Sequence, residues 1–287
     1  MTRPLTAEQV ARAFHDSCVA ELDALKPGNV HRFGDDDVGM SVADFESSAR
    51  VAAPALAAPG LSVGARIRAS VEATINAVSH NTNLGIVLLS APLAAAALES
   101  TGGDLRARLA RVLAGLSIDD AREAYVAIRR AKPGGLGQVP AHDAGGEPEI
   151  TLLEAMKAAE GRDRIAWNYT HDFADIFDLG LKRLRQALAE TDSLPFATTS
   201  VYLSFLATIP DTLIARKFGM AQALEVQQEA KAVEASFGNR ADEQVRNRDL
   251  MAFDRSLKAR GLNPGTSADL VVASLFAASL QALEMGC

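Results

Sequence analysis

Apolar positions recur at helical spacing along almost the whole chain, and runs alternating with period two are scarce. The pattern predicts helices over residues 6–24, 41–57, 63–79, 84–100, 104–114 and 118–131. A second group is predicted over 150–161, 167–190, 196–208, 211–236 (with a break at Gly219), 242–260 and 267–284. Thr6 followed by Gln9 forms a capping-box signature at the first of these. No fixed-period repeat is visible, so the expected architecture is all-α: a single multi-helix orthogonal bundle of about 11–13 helices spanning 1–287 as one domain.

Composition sharpens this. Hydrophobic residues make up 48% of the 287 residues while aromatics are only 5%, and alanine fills much of the difference. Alanine loses no side-chain entropy in a helix, so this balance favours closely packed helices over sheets. The 36 acidic and 29 basic residues leave a formal charge of −7, which offers no broad attraction to nucleic acid or an anionic membrane. A phosphorylated ligand would need a local basic pocket. The cysteines, Cys18 and Cys287, stand at opposite ends without a pairing framework or zinc spacing, which fits a reducing compartment. The apolar run from Leu84 to Leu98 contains Pro92 and is shorter than the ~20 residues of a membrane span. The N-terminal residues read as a helix start without the apolar core of a signal peptide. The expectation is a cytoplasmic protein without membrane or nucleic-acid partners, its oligomeric state open, a homodimer included.

Four polar, glycine-rich segments interrupt the helices: 26–40, 79–85, 132–149 and 261–270. The third has 18 residues with five glycines and three prolines, longer than a bundle needs to turn a corner. In the first, Lys26, Gly28, Asn29 and His31 lie on one turn and suit a phosphate, with Asp35 placed to hold a divalent cation beside it. A helix stop followed by a solvated acidic turn explains the same residues. In the second, Asn81, Thr82 and Asn83 precede an intensely apolar helix. Capping accounts for one of them; an anion or ribose site at a helix N-terminus accounts for more. In the last, Gly265, Thr266, Ser267 and Asp269 read either as a capping box or as a phosphate cradle with a catalytic or metal-binding carboxylate. His142 and Asp143 in the long segment form a candidate acid/base pair, with loop polarity the plainer reading. His171, Asp172, Asp175 and Asp178 are spaced for a metal, but acids in early helical turns ordinarily complement the dipole. Asp211, Arg216 and Lys217 read as a cap and a basic helix end. No Walker, Gly-x-Ser-x-Gly, His-Glu-x-x-His or dinucleotide fingerprint occurs.

In order, these interruptions resemble the triphosphoribosyl-dephospho-CoA synthase family. Lys26-Pro27-Gly28-Asn29-Val30 is similar to its Lys-Pro-Gly-x-Val turn, Asn81-Thr82-Asn83-Leu84-Gly85 to its Asn-Thr-x-x-Gly motif, and Pro264 through Leu270 to its Pro-Gly-x-Ser-Ala-Asp-Leu motif. The resemblance spans about residues 15–280. It departs at Asn83 and Leu84, where better-studied members carry His-Lys. It implies an all-helical transferase that joins the triphosphoribosyl part of ATP to the ribose 2′-hydroxyl of 3′-dephospho-CoA and releases adenine, with Mg²⁺ accompanying ATP. The departure leaves two alternatives: another nucleotide- or sugar-phosphate-using enzyme of one-carbon cofactor biosynthesis (methanopterin or furan type), or a non-catalytic nucleotide-binding protein. Under the resemblance, Lys26, Gly28, Asn29 and His31 would meet the triphosphate, with His31 also a candidate catalytic group. Asn81, Thr82 and Asn83 would contact ribose or phosphate, and Gly265, Thr266 and Ser267 would contact phosphate. Asp269 or Asp143 would be base or metal ligand, with Asp35 a further metal ligand. Alanine at Lys26 or Asp269 is then expected to keep helical content and abolish turnover.

Overall fold

The computed structural model describes residues 5–34, 40–99, 102–134, 146–239 and 243–286. Fourteen α-helices and one π-helical segment occur among them, with no β-strand. In chain order the first seven are α1 (Ala7–Leu22), α2 (Val42–Leu56), α3 (Val63–Val78), α4 (Leu84–Leu98), α5 (Leu105–Ala114), α6 (Ile118–Ala131) and α7 (Leu152–Ala159). Then come α8 (Arg164–Thr170), the π segment (Asp175–Gly180), α9 (Leu181–Thr191), α10 (Leu194–Thr208), α11 (Thr212–Phe218), α12 (Met220–Asn239), α13 (Glu243–Ala259) and α14 (Gly265–Met285).

Local chemistry accounts for most boundaries. The capping box at Thr6 and Gln9 is formed, and three more stand at Ser41/Asp44, Ser117/Asp120 and Thr151/Glu154. Gly219 breaks the predicted 211–236 helix at φ +93°, a conformation that favours glycine. The predicted 167–190 helix is instead α8, the π segment and α9, because Asp172 and Phe173 both adopt left-handed φ values, 49° and 54°. Ordinary helical periodicity does not reveal such a break. The acids there are structural: Asp175 takes a two-point bond from Arg164 at 2.7 and 2.8 Å, and Asp178 takes one from Arg106 at 2.6 and 2.9 Å.

Buried apolar residues from Leu5 to Leu280 form a single hydrophobic cluster. At its centre α14 packs against α1, α4, α10 and the π segment. Helix α14 is long and apolar enough to cross a bilayer by length and composition, but 67% of its most apolar window is buried inside the bundle. Small residues bring backbones together. A Cβ on Gly64 would lie 2.4 Å from the Asp120 carbonyl oxygen, joining α3 to α6. One on Gly180 would lie 2.1 Å from Ser274 Oγ, joining the π segment to α14. Cys18 is a free, buried thiol, and Cys287 lies outside the described residues.

Candidate active site

A cleft of about 420 Å³ opens where the N-terminal turns of α4, α8 and α14 meet the C-terminal end of α1 and the short α11. Of the predicted site residues, Asn29, Asn81, Thr82, Asn83, Gly265, Thr266 and Asp269 line it. The three separated motifs therefore converge, and the contacts between them are specific. Asn29 Nδ2 donates to Asn263 Oδ1 at 2.8 Å, tying the first motif to the last. A Cβ on Gly28 (φ +81°) would sit 2.9 Å from Leu257 Cδ1, the Leu262 carbonyl oxygen and Pro264 Cδ, so only glycine lets the two turns touch. A Cβ on Gly85 would lie 2.0 Å from Asp269 Oδ2 and 2.5 Å from its Cγ. The glycine of the second motif thus makes the space that the carboxylate of the last motif fills.

Asp269 is the centre of the arrangement. The capping-box alternative for it does not form: α14 starts at Gly265 without a side-chain cap, and the Thr266 hydroxyl accepts from the Leu213 amide at 3.2 Å instead. Among the described residues no hydrogen bond or ion pair reaches the half-buried Asp269 carboxylate. Desolvation pushes its proton affinity well above the usual carboxylate range, and the charges of Asp211, Glu21 and Asp163 push it further, with Arg216 opposing. Glu21 and Asp163, which also line the cleft, have partners. Glu21 pairs with the Lys26 ammonium, and Asp163 with Arg216 Nη1 at 2.5 Å.

Several predicted residues take other places. Lys26 is fully buried and does not line the cleft; its ammonium donates to Glu21, to Asn29 Oδ1 at 3.1 Å and to the Val30 carbonyl at 2.6 Å. With all three protons committed inside the fold, it orients two cleft residues and has no donor left for a triphosphate. His31, 2% exposed, also lies off the cleft. Its Nδ1 accepts from the Phe33 amide at 3.1 Å, its Nε2 faces Asp254 at 3.3 Å, and burial lowers its proton affinity. The Gly28 amide donates to that same Asp254 at 2.8 Å. Ser267 gives both its amide and its hydroxyl to Asp211 Oδ2, at 2.8 and 2.9 Å, so it fastens α14 to the cap of α11 and touches no ligand space. Thr82 donates to Ser48 Oγ at 2.6 Å and Asn83 Nδ2 to Thr74 Oγ1 at 2.9 Å, while Asn81 Oδ1 accepts from the Leu84 amide at 3.0 Å. These three hold the start of α4 against α2 and α3, presenting its first-turn amides to the cleft. Asp35, His142 and Asp143 lie outside the described residues.

Sequence reasoning missed the apolar part of the lining: Phe45, Tyr125, Ile128, Leu152 and Met156 from α2, α6 and α7. It also missed Glu21 and Asp163. Glu21 carried a signal, a charge on the face of α1 that buries Phe14 and Cys18. Asp163 reads only as a helix cap, which it also is, accepting from Ile165 and Ala166 amides at 2.9 and 3.3 Å. Among the described residues no group of three or more His, Cys, Asp or Glu side chains is placed to hold a metal ion. One or two carboxylates suit a cation that arrives on a substrate's phosphates better than a resident metal centre.

Gly85→Ala tests the juxtaposition. The added methyl displaces the Asp269 carboxylate by about an ångström, which should lower kcat/KM on the order of 100-fold. Alanine's better helix propensity partly offsets the crowding in α4, so thermal unfolding should shift little. Unchanged turnover in steady-state kinetics would remove the spacing from function.

Apolar lining with a few convergent polar groups in a helical bundle is the make-up of a small-molecule site. Residues 7–286 match the family of ATP:dephospho-CoA triphosphoribosyl transferases, and the chain belongs to that family. It is also similar to a crystal structure from Archaeoglobus fulgidus assigned as a triphosphoribosyl-dephospho-CoA synthase. That chain is 26% identical at a TM-score of 0.64, with 82% of this chain and 97% of that one covered. No curated protein matches the chain.

Proposed function

We propose that this chain transfers the triphosphoribosyl group of ATP to the ribose 2′-hydroxyl of 3′-dephospho-CoA and releases adenine. The observation that carries the reading is the meeting of the three motifs on one cleft around an unpartnered carboxylate, Asp269, in a member of this transferase family.

The transfer forms a bond from the acceptor 2′-oxygen to C1′ of the ATP ribose while the bond from C1′ to adenine breaks. Adenine leaves with the electron pair, and the acceptor hydroxyl gives up its proton. Asp269 takes that proton; its raised proton affinity suits a base that must retain it. As adenine departs, positive charge develops on the ribose, as in glycoside hydrolysis, and the carboxylates of Glu21 and Asp163, held by Lys26 and Arg216, would stand on the cleft to oppose it. Asn29, Asn81 and Thr266 with the first-turn amides of α4 and α14 would bind ribose and phosphate oxygens. The apolar wall around Phe45, Tyr125 and Met156 would receive adenine or the pantetheine arm. Mg²⁺, when bound, would neutralise triphosphate oxygens, with Asp269 the described carboxylate free to reach it. We place the protein in the cytoplasm, acting on soluble nucleotides as a single domain.

Incubation with ATP, Mg²⁺ and 3′-dephospho-CoA tests this by chromatography. Free adenine should appear only with all three present, together with an acceptor heavier by the triphosphoribosyl mass. Adenine release indifferent to dephospho-CoA would mark a hydrolase. Bound ATP with no adenine would point to a different acceptor, as in the one-carbon cofactor alternative.

A further inference from the structure

A cleft for phosphate esters needs positive charge held in a fixed place, and the cation that the motifs point to, Lys26, is committed inside the fold. Three other cations line the cleft: Arg162, Arg216 and Lys217. None lies on the polar turns that join the three motifs.

Arg216 occupies a built position. Its side chain is 19% exposed, and its Nη1 donates to Asp163 Oδ2, a carboxylate itself fixed by two amides at the start of α8. The other terminal nitrogen, Nη2, makes no hydrogen bond or ion pair among the described residues and, unlike Nε, is not shut off from solvent. Its Nε is buried and has no acceptor. Buried Nε lies out of a ligand's direct reach, whereas Nη2 on the cleft is a charged donor for which the protein supplies no acceptor among the described residues. A guanidinium edge matches two oxygens of a phosphate. Nearby Arg164 shows the contrast: its Nε and Nη2 are spent on Asp175 and its plane stacks 3.6 Å from the Trp167 ring centre. Lys217 follows Arg216 directly and is exposed, with no hydrogen bond or ion pair among the described residues; its Cε comes within 2.9 Å of where a Gly134 Cβ would stand. Arg162, also exposed, uses Nη1 on the Ala158 carbonyl at 3.0 Å.

We propose that Arg216, with Lys217 and Arg162 at the rim, is the polyphosphate anchor of the cleft. The proposal rests on the transferase reading above and names the part of the substrate these cations take: an oligophosphate chain, from the triphosphate of ATP or the diphosphate of dephospho-CoA. Arg216 and Asp269 line the same cleft, so a phosphate chain on Arg216 keeps the ribose it carries within that cleft.

Calorimetric titration with inorganic tripolyphosphate, ATP and 3′-dephospho-CoA tests the anchor without turnover. Arg216→Gln should weaken tripolyphosphate binding 10- to 100-fold, as expected for a charge-assisted pair in a partly buried site. Lys217→Gln should weaken it roughly threefold to tenfold, because its ammonium is more screened. Arg216→Lys should recover part of the loss, since it restores charge without the two-point edge. Loss toward ATP alone assigns the anchor to the triphosphate, and loss toward dephospho-CoA alone assigns it to the diphosphate. Wild-type affinities in both Arg216→Gln and Lys217→Gln, or no tripolyphosphate binding by the wild type, overturn the anchor. Adenine release alongside unchanged affinities would keep the transferase reading and remove the anchor. Lost affinities in a protein that releases no adenine would do the reverse.

Discussion

Asp269→Asn should lower kcat/KM by about 10²- to 10⁴-fold, the range for removing a positioned general base, while making the protein more heat-stable at alkaline pH. Both effects come from one cause. The carboxyl is desolvated, feels the charges of Asp211, Glu21 and Asp163, and has no hydrogen-bond donor among the described residues. The folded state therefore binds its proton more tightly than the unfolded chain does. Such a group stabilises the fold at low pH, and that contribution disappears as pH rises through the folded value. Above it, the native state holds a poorly solvated, half-buried anion, which an uncharged, equally sized asparagine removes. The wild-type pH profile should accordingly rise at a pH above the normal carboxylate range, and that limb should vanish in the variant's residual activity. Scanning calorimetry at pH 5 and pH 9 with steady-state kinetics reads both effects. A variant that loses activity and stability together at pH 9 would make Asp269 a structural residue.

Lys26→Met should destabilise the fold by about 3–5 kcal/mol, because it strands Glu21 as a buried, unpaired carboxyl. For a domain of this size the melting temperature falls on the order of 10 °C. This revises the expectation drawn from the motif, that losing Lys26 abolishes turnover with the fold intact. The ammonium has no free proton for a ligand, so activity should fall through disorder of Glu21, Asn29 and the Val30 turn. Burial lowers the lysine's proton affinity while Glu21 supports it, and Glu21 is in turn raised by burial. With the lysine gone, burial should raise the proton affinity of Glu21 further, and Glu21→Gln in the Lys26→Met background should restore most of the lost stability. Melting followed by circular dichroism is the measurement. An unshifted melting temperature with lost ATP binding would return Lys26 to the substrate.

Much of the helical framework was legible because each signal is local. The Thr6 capping box, the break at Gly219 and the polar interruptions all sit within a few residues of what they mark. The break at Asp172 and Phe173 was not legible, since nothing at those positions announces left-handed backbone. Within the site, Asn29, Asn81, Thr266 and Asp269 were legible as polar residues at helix ends. Their neighbours Ser267, His31 and Lys26 looked the same in sequence and are buried structural groups.

The chain by itself determined an all-helical bundle, the positions of its polar interruptions and its family, because periodicity, capping and motif order are properties of neighbouring residues. Only the tertiary structure decided which polar groups stay available to a ligand. That depends on partners distant in the chain: Asp211 for Ser267, Asp254 for His31 and Gly28, and the glycine at position 85 that leaves Asp269 its space. A buried polar group is silent once it is satisfied and reactive when it is not. The difference lies in three-dimensional hydrogen bonding, which the order of residues does not display.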